Sequence, residues 1–172
     1  DLFEYKYRKH IIQKYKQPTE STNDPVILPV VFHIIHNNGP ENIHDSLILK
    51  HLDWLNLTFA NQSPFYSPNG IDTKIQFCLA QRDEYNNEFT GITRHQSIYT
   101  DMSLGGTITG APFFPYTAYI NIFIVKEACL GIDCMPAGYA GGNKIVVEAN
   151  TIGQSIILSH TLTHEMGHFL GL

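Results

Sequence analysis

No apolar run in the 172 residues approaches the roughly 20 that a membrane-spanning helix needs, so nothing in the chain reads as a span. Charge is scarce: only 16% of residues are Asp, Glu, Lys or Arg, eleven cations against sixteen carboxylates. With a net charge of −5 and no basic stripe, the electrostatic footprint of a nucleic-acid binder is missing. Cysteines number three. Cys129 and Cys134, with four residues between them in a loop containing Gly and Pro, either close a small disulfide, as export would favour, or stay as two thiols. No second ligand pair accompanies them, which argues against a C-x₄-C metal site. Cys78 lies in an apolar stretch and reads as a small buried hydrophobe. No signal peptide precedes Asp1, but an exported chain would already have lost one.

What is present fits one soluble domain with a core. The chain is 43% hydrophobic, and its ten Phe, nine Tyr and nine Pro point to a β-containing, loop-rich fold. Residues 1–16 carry five Lys or Arg against Asp1 and Glu4, a local charge of +3 that leaves −8 for the rest. Their mixed helical spacing ends at Pro18, and a polar, Pro-punctuated linker runs to Pro25. Residues 1–25 therefore stand apart from 26–172.

From Val26 the pattern is regular. Val26 to His36 is nearly all apolar, as in a strand covered on both faces, with His33 and His36 as hydrogen-bonded structural residues. Ile48, Leu52, Leu55 and Phe59 form an apolar stripe on a helix from about Asp45 to Ala60, with Asp45 or Asn42 as N-cap and Trp54 packing beside the stripe. Asn56-Leu57-Thr58 and Asn61-Gln62-Ser63 match the glycosylation pattern but read as bystanders. Strands are expected at Lys74–Ala80, Tyr119–Val125 and Lys144–Glu148, with a long irregular stretch from Gly91 to Pro115. Asp83, Glu84, Glu88 and Asp101 lack the ligand spacing of a calcium loop.

The chemistry concentrates at the end: His164-Glu165-Met166-Gly167-His168, then Gly171. Positions four apart share a helix face, so His164 and His168 can hold one Zn²⁺, and Glu165 is placed as a general base. The spacing predicts a helix from about Ile156, capped by Ser155, whose buried stripe is Leu158, Leu162, Met166 and Phe169, away from the two histidines. Gly171 falls where such a helix must stop and turn. In the longer pattern H-E-x-x-H-x-x-G-x-x-H a third ligand follows the Gly by three residues, which here lies two beyond Leu172.

With these motifs the chain resembles the metzincin metallopeptidases, and more narrowly the pappalysin family. The likeness runs over roughly residues 26–172, through Leu28-Pro29-Val30-Val31-Phe32-His33-Ile34-Ile35, Ile75-Gln76-Phe77-Cys78-Leu79-Ala80, Gly91-Ile92-Thr93-Arg94, Asn121-Ile122-Phe123-Ile124-Val125, Gly138-Tyr139-Ala140 and Thr161-Leu162-Thr163-His164-Glu165. The resemblance implies an α/β (α+β) upper subdomain, with a mixed twisted sheet of about five strands, a backing helix and an active-site helix. It implies a secreted zinc endopeptidase made as a zymogen, with residues 1–25 a prosegment remnant and linker and 26–172 the upper part of the catalytic domain. His164 and His168 would be zinc ligands and Glu165 catalytic. Gly138, Tyr139, Ala140, Gly141 and Gly142 would form an antiparallel edge strand that binds a protein or peptide substrate. Calcium enters by the resemblance alone. The residue-level alternative is a non-catalytic fragment or subunit kept for its fold or for peptide binding. An apolar tip of Phe169, Leu170 and Leu172 would then be covered by a second chain or by a continuation of this one.

Overall fold

The longest strand, β1 (Val26–His36), is buried over most of its length and pairs with three others inside the sheet. The computed structural model describes residues 24–102, 108, 113–128 and 137–172; the basic segment 1–16, most of the linker, Gly105-Gly106 and Gly110, and Cys129 and Cys134 lie outside these. After β1 come α1 (Asp45–Phe59), β2 (Ile75–Leu79), β3 (Ile92–Gln96), β4 (Ile120–Val125), β5 (Gly138–Gly141), β6 (Lys144–Glu148) and α2 (His160–Leu170). β2 and β3 share one side of β1, pairing in parallel with Val26–Val30 and Phe32–His36. On the other side β4 runs parallel to β1, β6 parallel to β4, and β5 closes the series antiparallel to β6. The result is a mixed six-stranded sheet with two helices, an α/β metzincin-like subdomain architecture.

Side chains alternate across the sheet, as strand geometry requires. Val30, Phe32 and Ile34 of β1, Ile122 and Ile124 of β4, and Ile145 and Val147 of β6 join Ile48, Leu55, Leu162 and Met166 from the helices in one core. Ile35, Phe123, Val125 and Val146 face the other way, onto Met102 and Ala128.

Three expectations change. β3 falls where irregular chain is predicted; its mixed burial hides the strand, and only the pairing along Phe32–His36 defines it. The α1 N-cap is His44, whose Nδ1 accepts from Ser46 N at 3.1 Å. Asn42 and Asp45 are engaged by Arg94 of β3 instead, which donates to Asn42 Oδ1, to Ile43 O and, as an ion pair, to Asp45 Oδ1 at 2.6 Å. Finally, α2 begins at His160, not near Ile156. Ser155 Oγ accepts from Leu158 N and closes a separate turn, and Ile157 and Leu158 are 81% and 44% exposed. Two consecutive β-branched residues with nothing to bury, beside a serine that offers the backbone a competing turn, do not nucleate a helix. The buried stripe is thus Leu162, Glu165, Met166, Phe169 and Leu170, without Leu158.

Both glycosylation-pattern asparagines are occupied. Asn56 donates to Phe77 O and accepts from Phe77 N, closing part of the free edge of β2; Asn61 makes the same pair of bonds with Ser67. An Asn56→Ala substitution strands both Phe77 backbone groups. It is expected to cost about 1–3 kcal/mol, read as a lower urea midpoint at unchanged slope.

Candidate metal centre

α2 ends as the sequence predicts. Gly171 takes the left-handed conformation (φ 82°, ψ 27°), its N–H reaching His168 O and that of Leu172 reaching Gly167 O. This geometry reverses the chain directly after Leu170, within one turn of His168. Phe169, expected in the buried stripe, is buried on the inward face of the helix, and Leu170 with it; of the three residues that the fragment alternative would leave as an apolar tip, Leu172 alone is exposed, at 75%.

One turn of α2 brings the motif residues together. His164 and His168 project outward with ring centroids 4.3 Å apart and their Nε2 atoms at 2.9 Å. Glu165, between them in sequence, is nearly buried on the core side of the helix. Two nitrogens on a tetrahedral Zn²⁺ at about 2.0–2.1 Å stand roughly 3.3 Å apart, so a small ring rotation turns the pair into a chelate. The donor set therefore fits zinc as far as it goes. Among the described residues no group of three or more His, Cys, Asp or Glu side chains is placed to hold a metal ion. The acidic residues of the loops are used locally: Asp83 accepts from Tyr85 N, Asn87 N and Asn87 Nδ2, and Asp101 pairs with Lys126 at 2.9 Å.

The edge strand β5 packs directly on α2. A methyl group added at Gly138 would come 3.1 Å from Thr161 Cγ2, 3.0 Å from Val147 Cγ1 and 2.9 Å from Val146 O. The small residue thus serves the strand–helix contact, three residues before His164. Ala140 packs on the helix side, Tyr139 on the opposite side, a Cβ at Gly141 would meet open space, and Gly142 makes the hairpin turn to β6. Gly138→Ala is expected to overpack this contact, costing about 1–3 kcal/mol by chemical denaturation.

His33 and His36, read as structural, are placed that way. His33 is fully buried and stacks on Phe123, centroids 4.6 Å apart. The backbone of Phe114 orients the Asn121 amide by donating to its Oδ1 and accepting from its Nδ2. Oδ1 then faces His33 Nε2 at 2.9 Å, so that nitrogen carries the hydrogen. Nδ1 accepts from Thr93 Oγ1, which accepts in turn from His95 Nε2, both at 2.9 Å. A polar chain of neutral groups thus crosses β3, β1 and β4. Desolvation lowers the His33 pKa to about 4, which keeps the ring neutral. Sequence reading missed this chain because its members are scattered over 88 positions. A cavity of about 650 Å³ lies elsewhere, lined by Pro25, Asp53, Asn56 and Gln76 among others, with none of the motif residues in its wall.

Fold and site together define a class: by ancestry this is a zinc-metallopeptidase fold, with no complete metal site among the described residues. Three of the solved structures it is similar to are of mirolysin. A complex of mirolysin with a small compound and mature mirolysin of Tannerella forsythia with a cleaved peptide are each 26% identical to the chain, with TM-scores of 0.66 and 0.65 over 87% of it. A promirolysin mutant from the same organism, 24% identical with a TM-score of 0.66 over 99% of the chain, bears on the fold alone. The chain spans 65%, 64% and 62% of these proteins, less than two thirds of each. No protein-family model and no curated protein sequence matches it. Among the described residues no helix is long and apolar enough to cross a membrane.

Proposed function

We propose that residues 26–172 are the upper part of an exported zinc endopeptidase of the pappalysin type, and that by themselves they hold the protease fold without a working catalytic centre. The observation that carries this is the convergence of the His164 and His168 Nε2 atoms at 2.9 Å on a helix that also bears Glu165 and touches the edge strand. His164 and His168 would hold zinc together with a third ligand outside the described residues. Bound zinc supplies Lewis acidity, acidifying water and polarising a carbonyl. Glu165 takes a proton from the attacking water and returns it to the leaving amine. The open edge of β5, Gly138 to Gly141 with Gly142 at its turn, pairs with an extended peptide or protein substrate by strand addition. The basic N-terminal segment acts as a prosegment remnant, and Cys129 with Cys134 as a disulfide of the exported protein.

A second reading has its own support. The missing third ligand among the described residues favours a non-catalytic unit that keeps the fold for structure or for peptide binding along β5. Zinc titration and peptide hydrolysis separate the two, run on the 172-residue polypeptide and on a polypeptide extended by whatever the gene encodes after Leu172. Weak zinc binding and no turnover by the first, with one tight zinc and turnover by the second, is the expected result. Inactivity of both, or tight zinc and turnover by the 172 residues alone, overturns the proposal.

A further inference from the structure

The segment that launches α2 is fastened to α1 at one point by a side chain able to titrate. Gly153 N donates to His51 Nδ1 at 3.0 Å, and His51 is fully buried. The contact depends on glycine: at φ 66°, a Cβ at Gly153 would lie 2.5 Å from Leu47 O and 2.9 Å from Leu47 Cα. Ile152, just before it, is fully buried in the main core, while Ile156, Ile157 and Leu158, just after it, are exposed. The His51–Gly153 bond is thus the last polar tie to α1 before a loosely covered stretch leading to His160.

We propose that His51 is a positioning residue: its neutral ring latches the turn at Gly153, and with it the start of the helix carrying His164, Glu165 and His168, onto α1, and protonation of the ring opens the latch. The reason is geometric. Nδ1 can accept from Gly153 N only while it carries no hydrogen; protonated, it turns a donor toward a donor. Nε2 is already buried without a hydrogen-bond partner, so the cation gains no acceptor there. The surroundings do not compensate. Lys50 lies over Trp54, whose ring is 6.1 Å from that of His51, and His160 meets Phe65 edge-on; neither brings a carboxylate to the ring. Asp53 lines the cavity on the β2 side of α1. Burial accordingly lowers the His51 pKa to about 4. The inference goes beyond the proposed hydrolysis and stands without it.

The test is amide hydrogen exchange by NMR on the intact chain. It compares Gly153 with core amides such as that of Ile145, which is fully buried in the main core, corrected for intrinsic exchange, from pH 7 to pH 4.5. His51→Asn is the key variant, because its Oδ1 can replace Nδ1 as acceptor without titrating. In the natural protein the protection of Gly153 relative to Ile145 should fall at least tenfold between pH 7 and 4.5, because the opened turn lets the ring protonate. In His51→Asn it should stay level. Equal loss in both proteins, or no relative loss in the natural protein, overturns the latch. The second outcome needs only the natural protein, so it holds even if the variant does not fold. Peptidase activity does not enter, so a failure here is distinguishable from a failure of the proposed function.

Discussion

On the proposed zinc-endopeptidase reading, replacing Glu165 by Gln in the polypeptide extended past Leu172 is expected to leave zinc content unchanged and to lower peptide hydrolysis about 10²- to 10⁴-fold, the usual contribution of a positioned acid–base group. Gln keeps the shape of Glu but replaces one acceptor oxygen by an NH2 donor and cannot accept a proton at neutral pH. Glu165 shares its helical turn with His164 and His168, and its side chain is restrained against the core, so the substitution changes chemistry more than packing. The measurements are metal content, urea midpoint and kcat with one peptide substrate. A Gln variant that folds, holds zinc and turns over like the natural protein would show that Glu165 is only a packing residue. His168→Ala is the complementary variant, expected to lose zinc as well as activity, because it removes one of two convergent nitrogens.

Acid should begin to destabilise the protein well above the carboxylate range. His33 and His51 both have pKa values lowered from 6.5 to about 4, with burial as the leading cause. The folded state therefore disfavours the imidazolium, while the unfolded chain protonates near 6.5. Their neutral forms contribute full stability above that value, and it is lost progressively as pH falls from about 6.5 to 4. At 1.36 kcal/mol per unit, each site accounts for about 3 kcal/mol by pH 4. Together that is of the order of a whole domain's stability. Urea midpoints at pH 7, 6, 5 and 4.5 should decline steadily, and His51→Asn should remove about half of the slope. Stability that stays level from pH 6.5 to 4.5 would contradict the burial of both rings as neutral groups.

Much of the local structure was legible in the sequence. The apolar runs at β1, β4 and β6 and the stripe of α1 state their own periods, and burial then follows from composition alone. The HExxH spacing places two imidazoles on one helix face whatever surrounds them, and Gly171 marks the turn because few other residues take its conformation easily. Other features were not legible. β3 alternates poorly and is a strand only because β1 offers it an unpaired edge. Ser155 to Leu158 carries helical spacing, yet it meets no surface that would bury it.

The sequence by itself determined the place of α1, the end of α2 and most strands, much of the core, and which two histidines share a helix face beside one glutamate. Those properties depend on period and spacing, which a single chain carries in its order. Tertiary structure alone decided that β2 and β3 divide one side of β1 and that Gly138 seats the edge strand against Thr161. It also decided that His33 and His51 are neutral, each tied to residues far away in the chain. A titrating group responds to the solvent and partners around it, and these exist only once distant segments have packed together.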